Sequence, residues 1–409
     1  MLQKNWRIRR GSSKTIIFNI SFTFNFHILK NISFLLIVII SWCFCSCKSE
    51  QKSIYEEEIK SEIIDSVKIN FKVLENDNRI KKINSFFQRK FTRNQFNGNI
   101  LFAENGNIIT QKSYGYSNFR KKELLTKEHS FQLASVSKPF TSIAILQLIE
   151  KNKINLKDTI QKFFPEFPYH GITIHQLLSH RSGMSQYTHF CDAPDSIWPD
   201  KSVTINNQDV IEIISRIVPL INYKPNHKYY YCNTNYLLLA SIVEKVSGLS
   251  FKKYVKKNIF NPSGMFSSNI YDRTNFEDLI LPAQGYENKI PWEDVYLNGV
   301  VGDKGVYSTT EDLLKFDRAL KENIFISDSL KKLAFSKMNL DKNGNKNYGY
   351  GFRLKEHEKY GKIVYHTGWW KGFRSYFIKV MDKNQTIVVL NNVKRGRFLN
   401  IDRLIELIN

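Results

Sequence analysis

Cysteine is scarce in this 409-residue chain, with five in all, and Cys43, Cys45 and Cys47 crowd into one stretch near the N-terminus. Only Cys191 and Cys232 remain for the body, so a disulfide framework is excluded. Those two could pair after export or stay free thiols, and spacing does not decide between them. Long apolar runs are also missing. Phe34–Ile40 has the length of a signal-peptide core and falls short of a spanning helix. Proline (10) and glycine (19) are modest, and there is no repeat or low-complexity tract, which excludes fibrous and wholly disordered classes. Acidic residues number 38 against 60 basic ones, for a net charge of +22. The excess is scattered among Asn and Ile. Its tightest cluster, Lys252, Lys253, Lys256 and Lys257, reads as a solvated helix face. No nucleic-acid partner is expected, whereas an anionic membrane or wall surface is compatible.

What is present begins with an address. Lys4, Arg7, Arg9, Arg10, Lys14 and Lys30 precede the apolar run, and residues 1–47 contain no acid. Cys47 follows Ser46 and precedes a polar stretch, which resembles a bacterial lipoprotein signal with Cys47 as the lipidated residue. We therefore expect a leader over 1–47, a tether over 48–78, and an exported protein, periplasmic or held at the membrane by lipid or by an uncleaved leader.

Ile80, Ile83, Phe86, Phe87 and Phe91 mark one face of an amphipathic helix. Asn105-Gly106 between Gly98–Glu104 and 107–112 signals a hairpin. From Val136 to Ile149 the chain is helical and apolar nearly all round, so that helix belongs deep inside a domain. Residues of about 155–320 read as mostly helical, with clear helices at 210–217, 235–246 and 311–320. Strands are expected at 348–354, 362–367, 372–380 and 385–391, and a last helix at 399–408. The fold class is α+β: an antiparallel sheet built from both ends of the chain, flanked by helices, with a helical lobe inserted. A cleft between lobes is where ligand sites tend to lie.

Three short elements carry chemistry. Ser135-Val-Ser-Lys138 opens the buried helix, and three residues is almost one turn, so Ser135 and Lys138 share a face. A serine hydroxyl needs a neighbour to take its proton, and a lysine can do this when burial or nearby cations depress its pKa. Ser137 projects elsewhere. In Tyr231-Cys-Asn233 the two outer side chains point the same way in extended backbone. Tyr can relay a proton and Asn can orient a carbonyl. In His366-Thr-Gly368, followed by Trp369 and Trp370, the Gly allows close backbone approach at a strand end.

In this order the elements resemble the serine β-lactamase and penicillin-binding-protein superfamily, in the branch of class C β-lactamases, DD-peptidases, D-aminopeptidases and related esterases. The likeness spans about residues 80 to 395 and includes Phe131–Thr141, Ile172–Met184, Tyr231–Tyr236 and Gly302–Thr309. It implies a β-lactamase/transpeptidase-like domain over 79–409. Ser135 would form an acyl-enzyme, with Lys138 and Tyr231 sharing acid/base work. Asn233, His366, Thr367, Gly368 and Trp369 would bind substrate, and the N–H groups of Ser135 and Trp369 would form the oxyanion hole. It also implies that Cys232, where the family has Ser, points away. His366 stands where true β-lactamases have Lys, which removes a permanent cation. That disfavours β-lactams and favours small esters or amides without a free carboxylate, with Arg374 able to restore charge if it reaches the cleft; a small ester, a D-amino-acid peptide or, less readily, a β-lactam is the expected substrate. His366 should gain a proton near pH 6. The substrate would be a small molecule or derived from peptidoglycan. A second reading is a slow-acylating or non-catalytic envelope sensor of the same fold. His170, His175, His180 and His189 share no ligand spacing, so loop or core roles, no metal and no cofactor are expected.

Overall fold

The computed structural model describes residues 71–192, 197–273, 278–340 and 344–409. The leader, Cys47 and most of the tether lie outside these residues. Within the expected tether, Leu74 donates its N–H to Ile108 O and Lys72 O accepts from Ile108 N, both at 2.8 Å, so this end of it hydrogen-bonds to the first hairpin.

Helix α1 (Arg79–Thr92) buries Ile83 and Phe87. Strands β1 (Gly98–Glu104) and β2 (Asn107–Tyr114) follow, joined by Asn105 and Gly106 at φ +53° and +79°, the left-handed pair that a tight hairpin turn requires. Helix α2 (Lys138–Glu150) is buried on nearly every side, Lys138 and Gln147 included. Between it and the C-terminal strands lie α3 (Ile174–Leu178), α4 (Asn207–Ile217), α5 (Thr234–Ser247) and α6 (Thr310–Lys321). Capping explains where α3, α4 and α6 start: the Thr173, Asn206 and Thr309 side chains each accept from a first-turn N–H.

The C-terminal part forms β3 (Lys346–Tyr348), β4 (Arg353–His357), β5 (Gly361–Trp370), β6 (Phe373–Val380), β7 (Gln385–Asn391) and helix α7 (Ile401–Ile408). One antiparallel sheet takes the order β3-β4-β5-β6-β7-β1-β2. Gly98 pairs with Asn391 and Glu104 with Gln385, so the N-terminal hairpin joins the C-terminal strands. Side chains alternate across a sheet, and the two faces here have separate cores. One holds Ile83 and Phe87 of α1 and Leu404 of α7 against Ile378 and Ile387. The other holds Phe140 of α2 and Phe316 of α6, rings 4.3 Å apart, against Phe377.

One expected strand is corrected. Residues 348–354 are not continuous strand, because the chain turns between β3 and β4 with Gly351 at φ +81°. A Cβ on Gly351 would lie 2.5 Å from Ser142 Cβ and 3.1 Å from Lys138 O, so this turn presses against α2 where only Gly fits.

Candidate active site

Ser135 sits in one 3-10 turn, Ala134–Ser137, that runs into α2. Three residues per turn eclipse positions i and i+3. Lys138 therefore lies beneath Ser135, and its Nζ donates to Ser135 Oγ at 3.1 Å. Ala134 holds φ +49°, a left-handed backbone that costs a residue with a Cβ about 1–2 kcal/mol. The strain sits directly before the candidate nucleophile. Ser137 is buried and accepts from Val306 N–H, so it points away as expected.

Lys138 is fully buried. Its Nζ also donates to Asn233 Oδ1 at 2.8 Å and to the backbone O of Asp303 at 3.0 Å, and lies 5.0 Å from the Tyr231 ring centroid. The structure thus brings Ser135, Lys138, Tyr231 and Asn233 together from two distant segments. Gln186, which the sequence did not flag, clamps the second segment. Its Nε2 donates to Tyr231 O at 2.6 Å and its Oε1 accepts from Asn233 N–H at 2.8 Å. His180 lies fully buried beside Tyr231, ring centroids 4.3 Å apart, and its Nδ1 accepts from Cys232 N–H. Burial, then the charges of Lys138, His366 and Arg353, hold its pKa well below the usual histidine range. Cys232 turns its Sγ to Ser185 O in the interior. Cys191 and Cys232 are both buried free thiols, which settles the open choice against a disulfide.

Strand β5 supplies His366, Thr367, Gly368 and Trp369. A Cβ on Gly368 would lie 2.2 Å from Leu133 O and 3.0 Å from Ala134 Cβ, so β5 lies flush against the serine turn only because this residue is Gly. Thr367 is half-buried, and Trp369 is 48 % exposed.

Two expectations about charge are corrected. His366 is fully buried: its Nε2 accepts from Tyr348 O–H at 3.1 Å and its Nδ1–H donates to Thr367 O at 2.9 Å. Burial, then Arg353 and Lys138, push its pKa well below the usual histidine range, which opposes the expected gain of a proton near pH 6. Arg374 does not reach the cleft. Its Nη1 donates to Arg395 O and Gly396 O, and its guanidinium covers Phe398. The cation near the centre is Arg353, whose guanidinium carbon lies 5.1 Å from the Tyr231 ring centroid. Its Nε is buried with no hydrogen-bond partner among the described residues. Arg353 stands opposite Tyr365 in the β4–β5 register, a relation that no spacing in the sequence exposes.

A second buried amine adjoins the first. Lys304 Nζ donates to Tyr187 Oη at 2.7 Å and to Val300 O at 2.9 Å, and lies 3.6 Å from Asp303 Oδ1. Tyr187 O–H in turn donates to Asp303 Oδ2 at 3.0 Å. Burial, opposed by Asp303 and assisted by Lys138, lowers the Lys304 pKa to about 8. Asp303 therefore ties Lys138, through its carbonyl, to the Tyr187–Lys304 pair. The remaining histidines are not gathered into the site. His170 and His189 are exposed, and His175 Nδ1 meets Tyr350 O–H at 2.6 Å.

This fold, with a half-buried serine over a buried lysine, defines a β-lactamase-type protein. The family model described as Beta-lactamase matches residues 85–408, and the chain belongs to that family. It is 35% identical over 332 residues to penicillin-binding protein 4* of Bacillus subtilis (strain 168), covering 77% of this chain and 72% of that one. It is 29% identical over 329 residues to the putative penicillin-binding protein PbpX of the same organism, covering 77% and 75%. Among solved structures, the octameric penicillin-binding protein homologue from Pyrococcus abyssi matches with a TM-score of 0.67 at 27% identity, covering 77% of this chain and 74% of that one.

Proposed function

We propose that this protein is an exported serine hydrolase that cleaves an amide or ester through an acyl-enzyme on Ser135. The observation that carries the reading is the buried Lys138 side-chain nitrogen within 3.1 Å of Ser135 Oγ and 2.8 Å of Asn233 Oδ1, which as a neutral amine can take the serine proton. Ser135 Oγ attacks the substrate carbonyl while its proton passes to Lys138 or Tyr231. The developing oxyanion is held by the N–H groups of Ser135 and Trp369. The C–N or C–O bond then breaks, and the leaving group takes the proton back. Water repeats the sequence on the acyl-enzyme, releasing the acid and free Ser135. Asn233 and Thr367 orient the substrate.

Arg353 moves the substrate assignment toward peptides and amides of D-amino acids that keep a free carboxylate near the reacting bond. A guanidinium with an unpartnered Nε beside Tyr231 suits that group better than a neutral ester. The penicillin-binding names of the relatives agree with this choice.

The test is covalent labelling with a fluorophosphonate, read by intact mass. Ser135→Ala should abolish the adduct and Ser137→Ala should keep it; the reverse pattern overturns the assignment. Export is tested separately. A palmitate analogue should label the wild type and miss Cys47→Ser, and equal labelling of both rejects the lipid anchor.

A further inference from the structure

On the α1 and α7 side of the sheet, away from α2, a cavity of about 500 Å³ opens between the C-terminal half of α1 and the segment that leads into α7. Small molecules occupy cavities of roughly 300–1,000 Å³. Phe86, Lys90, Arg397, Phe398 and Arg403 carry its chemistry.

Lys90, Arg397 and Arg403 put three cations on one wall, and no carboxylate lines it. Lys90 Nζ donates to Gln95 Oε1 at 3.3 Å and lies 5.5 Å from the Phe86 ring centroid. Arg397 is exposed and has no hydrogen-bond or ion-pair partner among the described residues. Arg403 Nη1 meets the Glu406 carboxylate at 2.9 Å, but both side chains are about half exposed, and such pairs hold weakly. Asp402, one residue before Arg403, is taken by Lys355 and approached by His357. Crowded like charges repel, and a bound anion relieves that repulsion.

The same wall is aromatic. Phe398 is 49 % exposed, yet it is held in place. The Arg374 guanidinium carbon lies 4.8 Å from its ring centroid, and the Tyr376 ring meets it edge-on at 6.1 Å. Tyr376 Oη accepts from Leu399 N–H at 2.9 Å, and Arg374 Nη1 donates to Arg395 O and Gly396 O. The 395–399 segment is thus pinned on both sides of Phe398, and a pinned wall loses little freedom when a ligand arrives. Arg374 Nε is buried with no hydrogen-bond partner among the described residues, so a further positive charge stands behind the wall.

A fixed, exposed ring beside three cations suits a ligand with an anionic head and an apolar body. A phosphate monoester carries about two charges and three free oxygens, enough to engage all three cations; a carboxylate has one charge and two oxygens. Bare phosphate would leave Phe86 and Phe398 uncovered.

We propose that this cavity binds a phosphate ester carrying an apolar chain, with the phosphate among Lys90, Arg397 and Arg403 and the chain against Phe86 and Phe398. The site stands apart from Ser135, so failure of the hydrolase reading would leave it untouched.

The test is calorimetry on the full chain in a non-ionic detergent, with n-hexyl phosphate, inorganic phosphate, n-hexanol and adenosine monophosphate as probes. Hexyl phosphate should bind at least about tenfold more tightly than inorganic phosphate, because burying about two methylene groups supplies that factor. Hexanol should not bind measurably. Arg397→Gln combined with Arg403→Gln should weaken both phosphates about fivefold or more, as expected for two partly exposed ion pairs. Phe398→Ser should erase the advantage of the hexyl chain and leave inorganic phosphate unchanged. Arg397, Phe398 and Arg403 are exposed, so the fold should tolerate these changes, and an unchanged urea midpoint checks this. Equal binding of hexyl and inorganic phosphate overturns the apolar half of the site. Binding insensitive to the two arginines, or a preference for adenosine monophosphate, overturns the proposal altogether.

Discussion

Lys304 offers the sharpest test of how the site is held together. Its ammonium is buried beside Lys138, and its pKa of about 8 lies roughly 2.5 units below the usual 10.5. At 1.36 kcal/mol per unit, the charged form is disfavoured by about 3 kcal/mol relative to water. Between pH 8 and 10.5 the unfolded chain binds the Lys304 proton and the native state does not. This group therefore adds stability as pH rises through that window, and below pH 8 the penalty is borne in full. The native state tolerates it because Asp303 and Tyr187 share the charge. Above pH 8 the amine becomes neutral, and Asp303 loses the ammonium that fixes its carboxylate. The Asp303 carbonyl is also a partner of Lys138. We therefore expect kcat/KM for a nitrophenyl ester to fall above pH 8 in the wild type, and Lys304→Met to lose that limb while starting from a lower plateau. Removing one partner of a buried pair costs about 3–5 kcal/mol, so urea unfolding of Lys304→Met should show a loss of that order. Lys304→Met with Asp303→Asn should recover most of it. Unchanged stability and an unchanged alkaline limb in Lys304→Met would refute the coupling.

The other predictions concern charge and packing. Arg353→Leu should lower kcat/KM about 10- to 150-fold for a substrate with a free carboxylate, the worth of one charge-assisted hydrogen bond, and change a neutral ester far less. Arg374→Leu should leave that ratio alone, and an Arg374 effect as large as that of Arg353 would reverse the assignment. His180 and His366 should stay neutral from pH 6 to 8, giving carboxylate substrates a flat kcat/KM over pH 6 to 7.5, so a rise toward pH 6 would show that His366 does titrate. Below pH 6.5 the unfolded chain takes up protons on both rings more readily than the native state, so stability should fall with pH, measurable by urea unfolding at pH 6.5 and 5.5. Gly368→Ala should cut acylation sharply, because its methyl would meet Leu133 O at 2.2 Å and push β5 off the serine turn. A fully active Gly368→Ala would show that this contact yields freely.

Local pattern made much of this protein legible. The 3.6-residue periodicity of Ile83 and Phe87 placed α1. Asn105-Gly106 placed the first hairpin, because few other pairs accept two left-handed residues. The unbroken apolar surface of α2 announced burial, and with it a Lys138 shut away from water. Ser135, Tyr231 and Asn233 could be nominated because S-x-x-K and Tyr-x-Asn are short-range spacings. What the sequence could not rank was partners brought together by pairing and packing. Tyr348–Leu354 is strand-like in composition, yet Gly351 must turn there to clear α2. Arg353 and Arg374 are equal as letters; register and packing put one beside Tyr231 and the other over Phe398. Gln186, Asp303 and Lys304 stand out only when the fold carries Gln186 to Tyr231 and Asn233, and Asp303 and Lys304 to Lys138. Titration of His366 depended on burial among Tyr348, Arg353 and Lys138, and burial is a property of the assembled core. The chemistry available was thus written in local spacings, while the charge, pKa and orientation of each group were set by neighbours that only the tertiary structure supplies.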